Sequence, residues 1–334
     1  MPPHELTTDR GDAGRRLDLV LARHLAGLGA ITRTRIQRWI VDGRVAINGA
    51  AAHRVSRRLA AGDTVSVRLP AEAVAATMAA DAVPVCVRFE DDHLLVADKP
   101  PGVVCHPTHA HAAGTLMNAL LGHARDWPTG QRPSLVGRLD KWTSGLILVA
   151  KTARMHAQLQ RTLASADSVK EYVALVYGAP SPARGTISLR LARDRTDRRR
   201  VAASVSTGAF SLTSYAVDAV TTAAAVAFSL VRCRIATGRT HQIRVHLAAR
   251  GWPIVGDPVY GEPRWREVTD PAVAAAASAF SRQALHASRL AFRHPEMGAL
   301  IRVEAPIPPD MRALLTAVGF PNWNPGGAAG GSDA

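Results

Sequence analysis

The sequence predicts an α+β protein in which a small N-terminal domain precedes a larger C-terminal one. Three observations support this class. Residues 15–69 combine helical spacing with a hairpin signal, the chain from Val85 onward alternates strand-like apolar runs with loops, and residues 152–163 carry an amphipathic helical pattern. A chain of 334 residues is long enough for one sizeable core and a second, smaller one.

The N-terminal module is predicted to hold two helices and short strands. Apolar residues recur at helical spacing over residues 17–25, and a second helix is predicted over residues 32–41, with Thr32 as its cap. Residues 45–49 form a strand that enters an Asn-Gly hairpin turn, and apolar residues alternate through residues 65–69 in a last strand.

The same module is strongly basic, with eleven Arg against three Asp between residues 15 and 69, a balance of +8. On the second helix Ile36 and Ile40 share one face, while Arg35 and Arg38 lie on the other and Arg33 stands at its start. Two interpretations are open for these arginines: a solvated basic face of an ordinary amphipathic helix, or contacts to RNA phosphates.

The remainder of the chain divides by composition. Residues 70–83 are Ala-rich and flanked by prolines, and we interpret them as a linker. Residues 84–318 hold the predicted larger domain, in which apolar residues over 228–235 and 243–247 predict strands or strand–helix junctions. Residues 319–334 become rich in Gly and Pro, which predicts a disordered tail.

The overall composition favours a polyanionic partner. The formal net charge is +14, and 37 of the 41 basic residues are Arg, which suits phosphate binding and base stacking. The three cysteines form no Cys-x-x-Cys pair, so neither a zinc site nor a disulfide framework is expected. We identify no secretory signal and no apolar run long enough to span a bilayer, and we expect a cytoplasmic protein.

The stretch Gly137–Gly145, followed by the apolar run 146–150, organises the larger domain. The run is short and aliphatic, which predicts a buried strand. Asp140 therefore lies in a polar loop that leads directly into the core, where a cleft can form around its carboxyl group. The alternative is that Asp140 caps a turn, as Asp often does.

Five motifs in the larger domain resemble, in order, those of the RluA-like pseudouridine synthases. They are Asp98-Lys99-Pro100-Pro101-Gly102, Arg138-Leu139-Asp140 with Thr143-Ser144-Gly145, Lys170-Glu171-Tyr172, Thr237–His246 with Gly256-Asp257, and Arg282–Ala287. The N-terminal module resembles the α-L RNA-binding module that often precedes this catalytic domain. The resemblance implies a mixed, mostly antiparallel central sheet with a catalytic cleft, and it favours RNA binding by Arg33, Arg35 and Arg38.

The resemblance also implies a reaction. Uridine becomes pseudouridine when the glycosidic bond from nitrogen breaks and the uracil rejoins the sugar through carbon 5, so neither a cofactor nor a metal is expected. A single carboxylate, as nucleophile or general base, can perform the central step, and by resemblance this is Asp140. Arg244 matches the arginine that pairs with this aspartate, and Tyr172 matches the tyrosine that stacks on the uracil.

Further side chains are expected to bind the substrate. Ile243 matches an apolar wall for the base, and Arg138 matches an arginine that holds the RNA after the uridine has flipped out of its stack. Lys99, Arg239 and His241 are candidate contacts to the RNA backbone. Without the resemblance, a core aromatic of a strand stays open as the alternative for Tyr172.

The stretch around Arg138-Leu139-Asp140 departs from the family pattern at two positions. Gly137 stands where His is usual, and Trp142 stands where an acidic residue is common. Gly removes a side chain that could pack behind the loop and it loosens the backbone, so we expect an effect on the rate more than on the kind of activity.

The predicted function is isomerisation of uridines in structured RNA, with large-subunit ribosomal RNA as the favoured substrate and a monomer as the favoured state. Two alternatives are open: a non-catalytic RNA-binding or ribosome-assembly factor on the same scaffold, and a transfer-RNA pseudouridine synthase. The sequence does not specify the uridine.

Overall fold

The structure, a computed structural model, describes residues 3–8, 12–25, 31, 33–69, 84–108, 113–194, 196–197, 200–204, 206–221 and 225–325. The chain divides into two compact units, residues 1–81 and 82–334. The predicted linker 70–83 and the predicted cap Thr32 lie outside the described residues. None of the helices in the described ranges combines the length and the apolar character that a membrane span requires.

In the described residues of the first unit, two helices pack against a small antiparallel sheet. Its helices are α1 (Leu17–His24) and α2 (Arg33–Val41), and its strands are β1 (His4–Thr7), β2 (Val45–Ile47), β3 (Ala50–Ala51) and β4 (Thr64–Val67), in the order β1-β4-β2-β3. Leu17, Leu21, Ile36 and Ile40 are fully buried between helices and sheet. The helical spacing read from the sequence therefore describes the faces that form this core.

Two features of this unit bear on the sequence predictions. The Asn-Gly hairpin is confirmed, because Asn48 and Gly49 have φ of 50° and 83° and join β2 to β3. A further strand precedes the module predicted to begin at residue 15, since β1 pairs with β4 over His4 to Thr7. This strand is only four residues long and half exposed, so its sequence carries little apolar signal.

The second unit is built on an eleven-stranded sheet. Its strands are β5 (Val87–Glu90), β6 (Leu94–Lys99), β7 (Ser134–Val136), β8 (Ser144–Ala150), β9 (Val169–Tyr177), β10 (Arg184–Arg193), β11 (Val201–Ser204), β12 (Ala209–Thr221), β13 (Phe228–Ile235), β14 (Leu285–Arg293) and β15 (Leu300–Glu304). The order is β11-β10-β12-β13-β9-β14-β8-β6-β5, with β15 on β14 and β7 on β8. Among the strands that the structure describes, β8 and β14 alone pair in parallel, so the predicted mixed, mostly antiparallel sheet is confirmed.

Five α-helices lie in the described residues of this unit. They are α3 (Leu116–His123), α4 (Ala153–Thr162), α5 (Gln242–Ala249), α6 (Pro271–Ala279) and α7 (Pro309–Ala317). The amphipathic helix predicted from residue 152 is confirmed as α4, whose Thr152 accepts a hydrogen bond from the Met155 amide as its N-cap. A large core joins β9 and β13 to residues of α5, α6 and α7.

The parallel pairing of β8 with β14 lies in the middle of the sheet. It fixes the position of the first residues of β8, the strand that follows Asp140. Ser144 pairs with His286, and Gly145 pairs with Ala287. Gly145 has φ of +105°, and a Cβ built there would overlap the Ala287 carbonyl. Glycine is therefore required at this position for the two backbones to approach.

Two predictions about this unit are wrong. Residues 243–247 were expected to form a strand or a strand–helix junction, but they lie inside helix α5. The expected tail from residue 319 starts too early, because Phe320 is buried and its amide donates to the Leu315 carbonyl. Residues 326–334 lie outside the described residues.

Candidate active site

A cleft of about 600 Å³ opens beside the start of β8. It brings together seven of the predicted site residues: Arg138, Asp140, Tyr172, Arg239, His241, Ile243 and Arg244. These come from the loop before β8, from β9, and from the loop before α5 together with the first turn of that helix. Segments about 100 residues apart in sequence therefore meet at one place, as the resemblance implied.

Asp140 occupies a short turn between β7 and β8. The Thr143 amide donates to the Asp140 carbonyl, and the Gly102 amide donates to the Lys141 carbonyl, so the turn is tied to the preceding motif. The Asp140 side chain is 22% exposed, which leaves its carboxylate open to the cleft. Asp140 therefore belongs to a turn, as the first interpretation predicts, and its carboxylate also faces the cleft, as a catalytic role requires.

Arg244 links this carboxylate to a second one. Its Nη1 donates to Oδ2 of Asp140 at 2.9 Å, while Nε and Nη2 donate to the two oxygens of Asp257 at 2.7 and 2.8 Å. Burial lowers the pKa of Arg244, but Asp257 and Asp140 raise it by more, so the guanidinium remains charged. The fork on Asp257 leaves one nitrogen directed at Asp140.

Asp257 is held as firmly as the arginine. Its side chain is fully buried, and Oδ1 also accepts hydrogen bonds from the amides of Val259 and Tyr260. Burial raises the pKa of Asp257, but Arg244 and these amides outweigh it, and the pKa lies below its usual range. The Tyr260 ring lies 5.1 Å from the guanidinium carbon of Arg244 and covers it.

His241 lies at the edge of the same cluster. It precedes α5 with a φ of 56°, its Nε2 lies 3.9 Å from Oδ2 of Asp140, and its Nδ1 lies 2.9 Å from the Tyr260 hydroxyl. Burial lowers the pKa of His241, with Asp140 opposing it in part, so the imidazole is neutral at pH 7. A neutral ring can donate or accept a hydrogen bond in the cleft.

Tyr172 and Ile243 form the apolar side of the cleft. Tyr172 lies on β9, packed against the core of the unit, and Ile243 is buried in the first turn of α5. Burial, with a smaller contribution from the negative charge of Asp140, raises the pKa of Tyr172, so its phenol stays neutral. An aromatic ring and an aliphatic side chain beside a carboxylate suit a flat base such as uracil.

The polar contacts predicted for RNA divide into two groups. Arg138 and Arg239 are exposed at the cleft, where Arg138 donates to the Thr240 hydroxyl and Arg239 donates to the Phe210 carbonyl at 3.2 Å. Lys99, by contrast, is fully buried and does not line the cleft.

The prediction that Lys99 contacts RNA is therefore wrong. Its ammonium donates to the carbonyls of Pro100, Val103 and Lys141 at 2.9, 2.9 and 3.1 Å. Burial lowers the pKa of Lys99 to about 8, so the amine is still mostly protonated at neutral pH and supplies all three hydrogen bonds. Lys99 thus holds the loop beside Asp140 in place.

Several residues that support the Asp140 loop were not predicted. Buried Arg282 donates to the Trp142 carbonyl at 3.1 Å, Gln283 donates to the Thr143 hydroxyl at 3.1 Å, and His286 lies 3.0 Å from the Ser144 hydroxyl. On the other side, the Leu139 amide and carbonyl both lie 3.3 Å from the Cys105 sulfur. The Arg282–Ala287 motif was visible in the sequence, but its contacts with the loop were not.

The three arginines predicted to bind RNA lie in the first unit, on α2. Arg33 donates to Asp18, whose side chain is fully buried, at 2.7 to 2.8 Å, whereas the Arg38 side chain is 85% exposed. Arg35 is partly buried. Arg33 and Arg38 therefore differ, since Arg33 binds a buried carboxylate within the unit and Arg38 extends into solvent.

Comparison with known proteins agrees with this geometry. The family model described as RNA pseudouridylate synthase matches residues 93–249, and that of the S4 domain matches residues 15–65. Ribosomal large subunit pseudouridine synthase D of Nitrosomonas europaea is 40% identical over 314 residues, which cover 94% of this chain and 87% of the relative. The chain belongs to the RNA pseudouridylate synthase family.

Other relatives of the synthase extend the comparison. The proteins named ribosomal large subunit pseudouridine synthase D of Pseudomonas aeruginosa and uncharacterized RNA pseudouridine synthase YlyB of Bacillus subtilis are 37% and 36% identical, over 91% and 93% of this chain and 92% and 96% of theirs. Human RNA pseudouridylate synthase domain containing 1 superposes with a TM-score of 0.53 at 28% identity, covering 70% of this chain and 87% of the human chain.

In the described part of the synthase, no group of three or more His, Cys, Asp or Glu side chains is placed to hold a metal ion. The cluster around Arg244 is instead a set of ion pairs and hydrogen bonds between protein side chains.

Proposed function

We propose that this synthase converts specific uridines of large-subunit ribosomal RNA to pseudouridine, with Asp140 as the catalytic carboxylate and without a cofactor or metal. The observation that carries the proposal is the Asp140–Arg244 ion pair at 2.9 Å in a cleft that also contains Tyr172 and Ile243. A carboxylate, a fixed cation and an apolar slot for a base are the parts that the reaction needs.

The proposed reaction leaves the atomic composition of the substrate unchanged. The bond between C1′ and N1 breaks, the uracil turns, a bond forms between C1′ and C5, C5 loses a proton and N1 gains one. Attack on the sugar, attack on the base and removal of a ribose proton all use the same carboxylate. In each of them Arg244 orients Asp140, and Tyr172 and Ile243 hold the uracil while it is detached from the sugar.

Arg138, Arg239 and His241 are proposed to hold the RNA around the flipped nucleotide. Arg138 and Arg239 are exposed beside the carboxylate, where their guanidinium groups can reach phosphates on either side of the target. His241 is neutral and lies within 3.9 Å of Asp140, so it suits a hydrogen bond to a sugar or base oxygen.

The choice of ribosomal RNA rests on two observations. Relatives at 36 to 40% identity that align over nearly the whole chain are named ribosomal large subunit pseudouridine synthase D. The first unit matches an S4 domain and is basic, and we propose that it binds RNA through Arg38 and neighbouring side chains of α2. We further propose that the protein acts as a monomer.

A non-catalytic RNA-binding role is the alternative from a different class. It explains the arginines, but it gives no reason for a carboxylate in a cleft that must accept a phosphate chain. A transfer-RNA substrate is the alternative within the same class, and it differs only in the RNA that the two units recognise together.

Pseudouridine mapping in cells with and without the gene tests the proposal directly. We expect specific large-subunit positions to lose their modification, and purified protein to restore it on the extracted RNA. Asp140→Asn protein should bind the same RNA with unchanged affinity but leave the uridines unmodified. Modification lost only from transfer RNA would redirect the proposal, and restoration by Asp140→Asn protein would remove Asp140 from the chemistry.

A further inference from the structure

Trp142 lies two residues after Asp140, and the reaction proposed for the cleft gives it no role. Its side chain is 43% exposed and does not line the cleft itself. An indole left this exposed on a loop beside the reacting carboxylate calls for a physical reason, because aromatic side chains are usually covered when nothing binds them. The family resemblance sharpens the question, since an acidic residue is common at this position.

The backbone and the ring of Trp142 are each in contact with neighbouring residues. The backbone carbonyl accepts a hydrogen bond from Arg282 at 3.1 Å, and Arg282 is itself fixed by two hydrogen bonds to Asp310 at 2.6 and 2.9 Å. The indole packs on the backbone of Gly102, where an added Cβ would lie 3.1 Å from the ring. A ring that is already ordered loses little conformational entropy when another flat group stacks on it.

The electrostatic surroundings of the ring favour RNA. The Lys141 ammonium lies over one face of the ring, 5.3 Å from its centroid, and Arg138 is exposed in the same loop. An acidic residue at position 142 would repel the phosphates of an incoming strand, whereas an indole presents a neutral stacking face beside two cations.

We propose that Trp142 is a stacking platform for one unpaired RNA base that adjoins the target uridine. This inference rests on the proposed function. When the target nucleotide leaves the stack, its neighbour loses a stacking partner, and RNA-binding proteins commonly replace such partners with aromatic side chains. The platform offsets part of the free energy needed for flipping and places the RNA backbone next to Asp140.

The test uses full-length protein and a hairpin RNA that carries the mapped uridine. Two further hairpins replace the nucleotide before or after this uridine with an abasic one. Binding is measured in an Asp140→Asn background, so that no turnover occurs, for Trp142→Ala, Trp142→Glu and Trp142→Phe. Met297→Ala is the matched control, because Met297 is 55% exposed in the turn between β14 and β15. Thermal unfolding shows that each variant is folded.

We expect Trp142→Ala and Trp142→Glu to weaken binding of the intact hairpin by about tenfold, as loss of one base–aromatic stack does. Trp142→Phe should stay within about threefold, and Met297→Ala should be neutral. On one of the two abasic hairpins the effect of Trp142→Ala should disappear. An equal loss on all three hairpins, or no loss on any, would overturn the platform.

The same hairpin separates this inference from the proposed function. Wild-type protein must convert its uridine in a parallel assay. If conversion fails, the proposed function fails and the inference falls with it. If conversion succeeds while Trp142→Ala binds all hairpins as the parent does, only the role of Trp142 is overturned.

Discussion

Arg244 directs two of its three nitrogens at Asp257 and only one at Asp140. The buried carboxylate therefore sets the orientation of the guanidinium, and the candidate catalytic carboxylate receives a donor that is already aligned. Such an arrangement spares the site from reorganising when substrate enters. Asp257, which does not line the cleft, therefore positions the guanidinium group that donates to Asp140, which does.

The first prediction concerns this buried partner. Asp257→Asn should lower the rate of isomerisation by at least about tenfold and the free energy of unfolding by about 3–5 kcal/mol, because a buried guanidinium loses its charged partner. Single-turnover kinetics and denaturant unfolding measure both effects. Asp218→Asn is a control, since Asp218 pairs with Arg232 away from the cleft. An Asp257→Asn protein with parental rate would show that Arg244 needs no such support.

The second prediction compares two glycines with positive φ on either side of the Asp140 loop. Gly137 has φ of +96° and open space around a built Cβ, whereas Gly145 has φ of +105° and no space. Gly137→Ala and Gly137→His should each cost about 1–2 kcal/mol of stability through backbone strain and leave the rate within about threefold. Gly145→Ala should abolish activity or folding.

Gly137→His also decides what the missing histidine would do. A Cβ built at this position has no atom of the described residues within 4 Å, so we expect neither a clash nor a gain in packing at the base of the new side chain. Thermal unfolding and single-turnover kinetics of the three variants test this expectation. A large rate increase in Gly137→His would show that the ring reaches the loop and supports it.

The third prediction separates two arginines of α2. Arg33→Ala should lower the stability of the first unit by about 1–2 kcal/mol, because buried Asp18 loses one of its hydrogen-bond donors. Arg38→Ala should change stability by less than about 0.5 kcal/mol. It should also reduce the slope of log affinity against log salt concentration by about one, the contribution of one phosphate contact. Affinity measured across a range of salt concentrations distinguishes them, and an unchanged salt slope in Arg38→Ala would remove Arg38 from the interface.

The fourth prediction concerns alkaline pH. Because burial raises the pKa of Tyr172, its phenol should remain protonated where an exposed tyrosine ionises. The single-turnover rates of wild type and Tyr172→Phe should therefore follow parallel pH profiles up to about pH 10. Short incubations keep RNA hydrolysis small. A wild-type rate that falls near the ordinary tyrosine pKa, without a matching fall in Tyr172→Phe, would contradict this protonation state.

Local patterns in the sequence predicted much of the fold. The hairpin at Asn48 and Gly49, the helix capped by Thr152 and the buried strand after Gly145 all have signals within a few neighbouring residues. Helix α5 was misassigned because Gln242 to Leu247 are all buried, so no polar face marks its period. Ile and Val at alternate positions then imitated a strand.

The candidate site was predicted from its motifs. The errors in that prediction concern contacts between residues that are far apart in sequence. Lys99 lies in a motif beside the cleft, but one of the carbonyls it contacts belongs to Lys141, 42 residues later. The support that Arg282 gives to the Trp142 carbonyl spans 140 residues. Pairings over such distances follow from the three-dimensional packing of the sheet and leave no periodic trace in the sequence.

The support of the Asp140 loop by Arg282 and Asp310 also sets an order of events during synthesis of the protein. Every residue lining the cleft has been made by Leu290, yet Arg282 is fixed only when Asp310 has followed. At about 5–20 residues per second, a ribosome needs roughly ten to thirty seconds to pass from Asp140 to Asp310. A chain released between Leu290 and Asp310 contains the whole lining of the cleft without the anchor that positions its loop. Incomplete products of translation that end in this interval would therefore carry the proposed catalytic carboxylate in a loop that lacks its support, and we expect them to leave uridines unmodified.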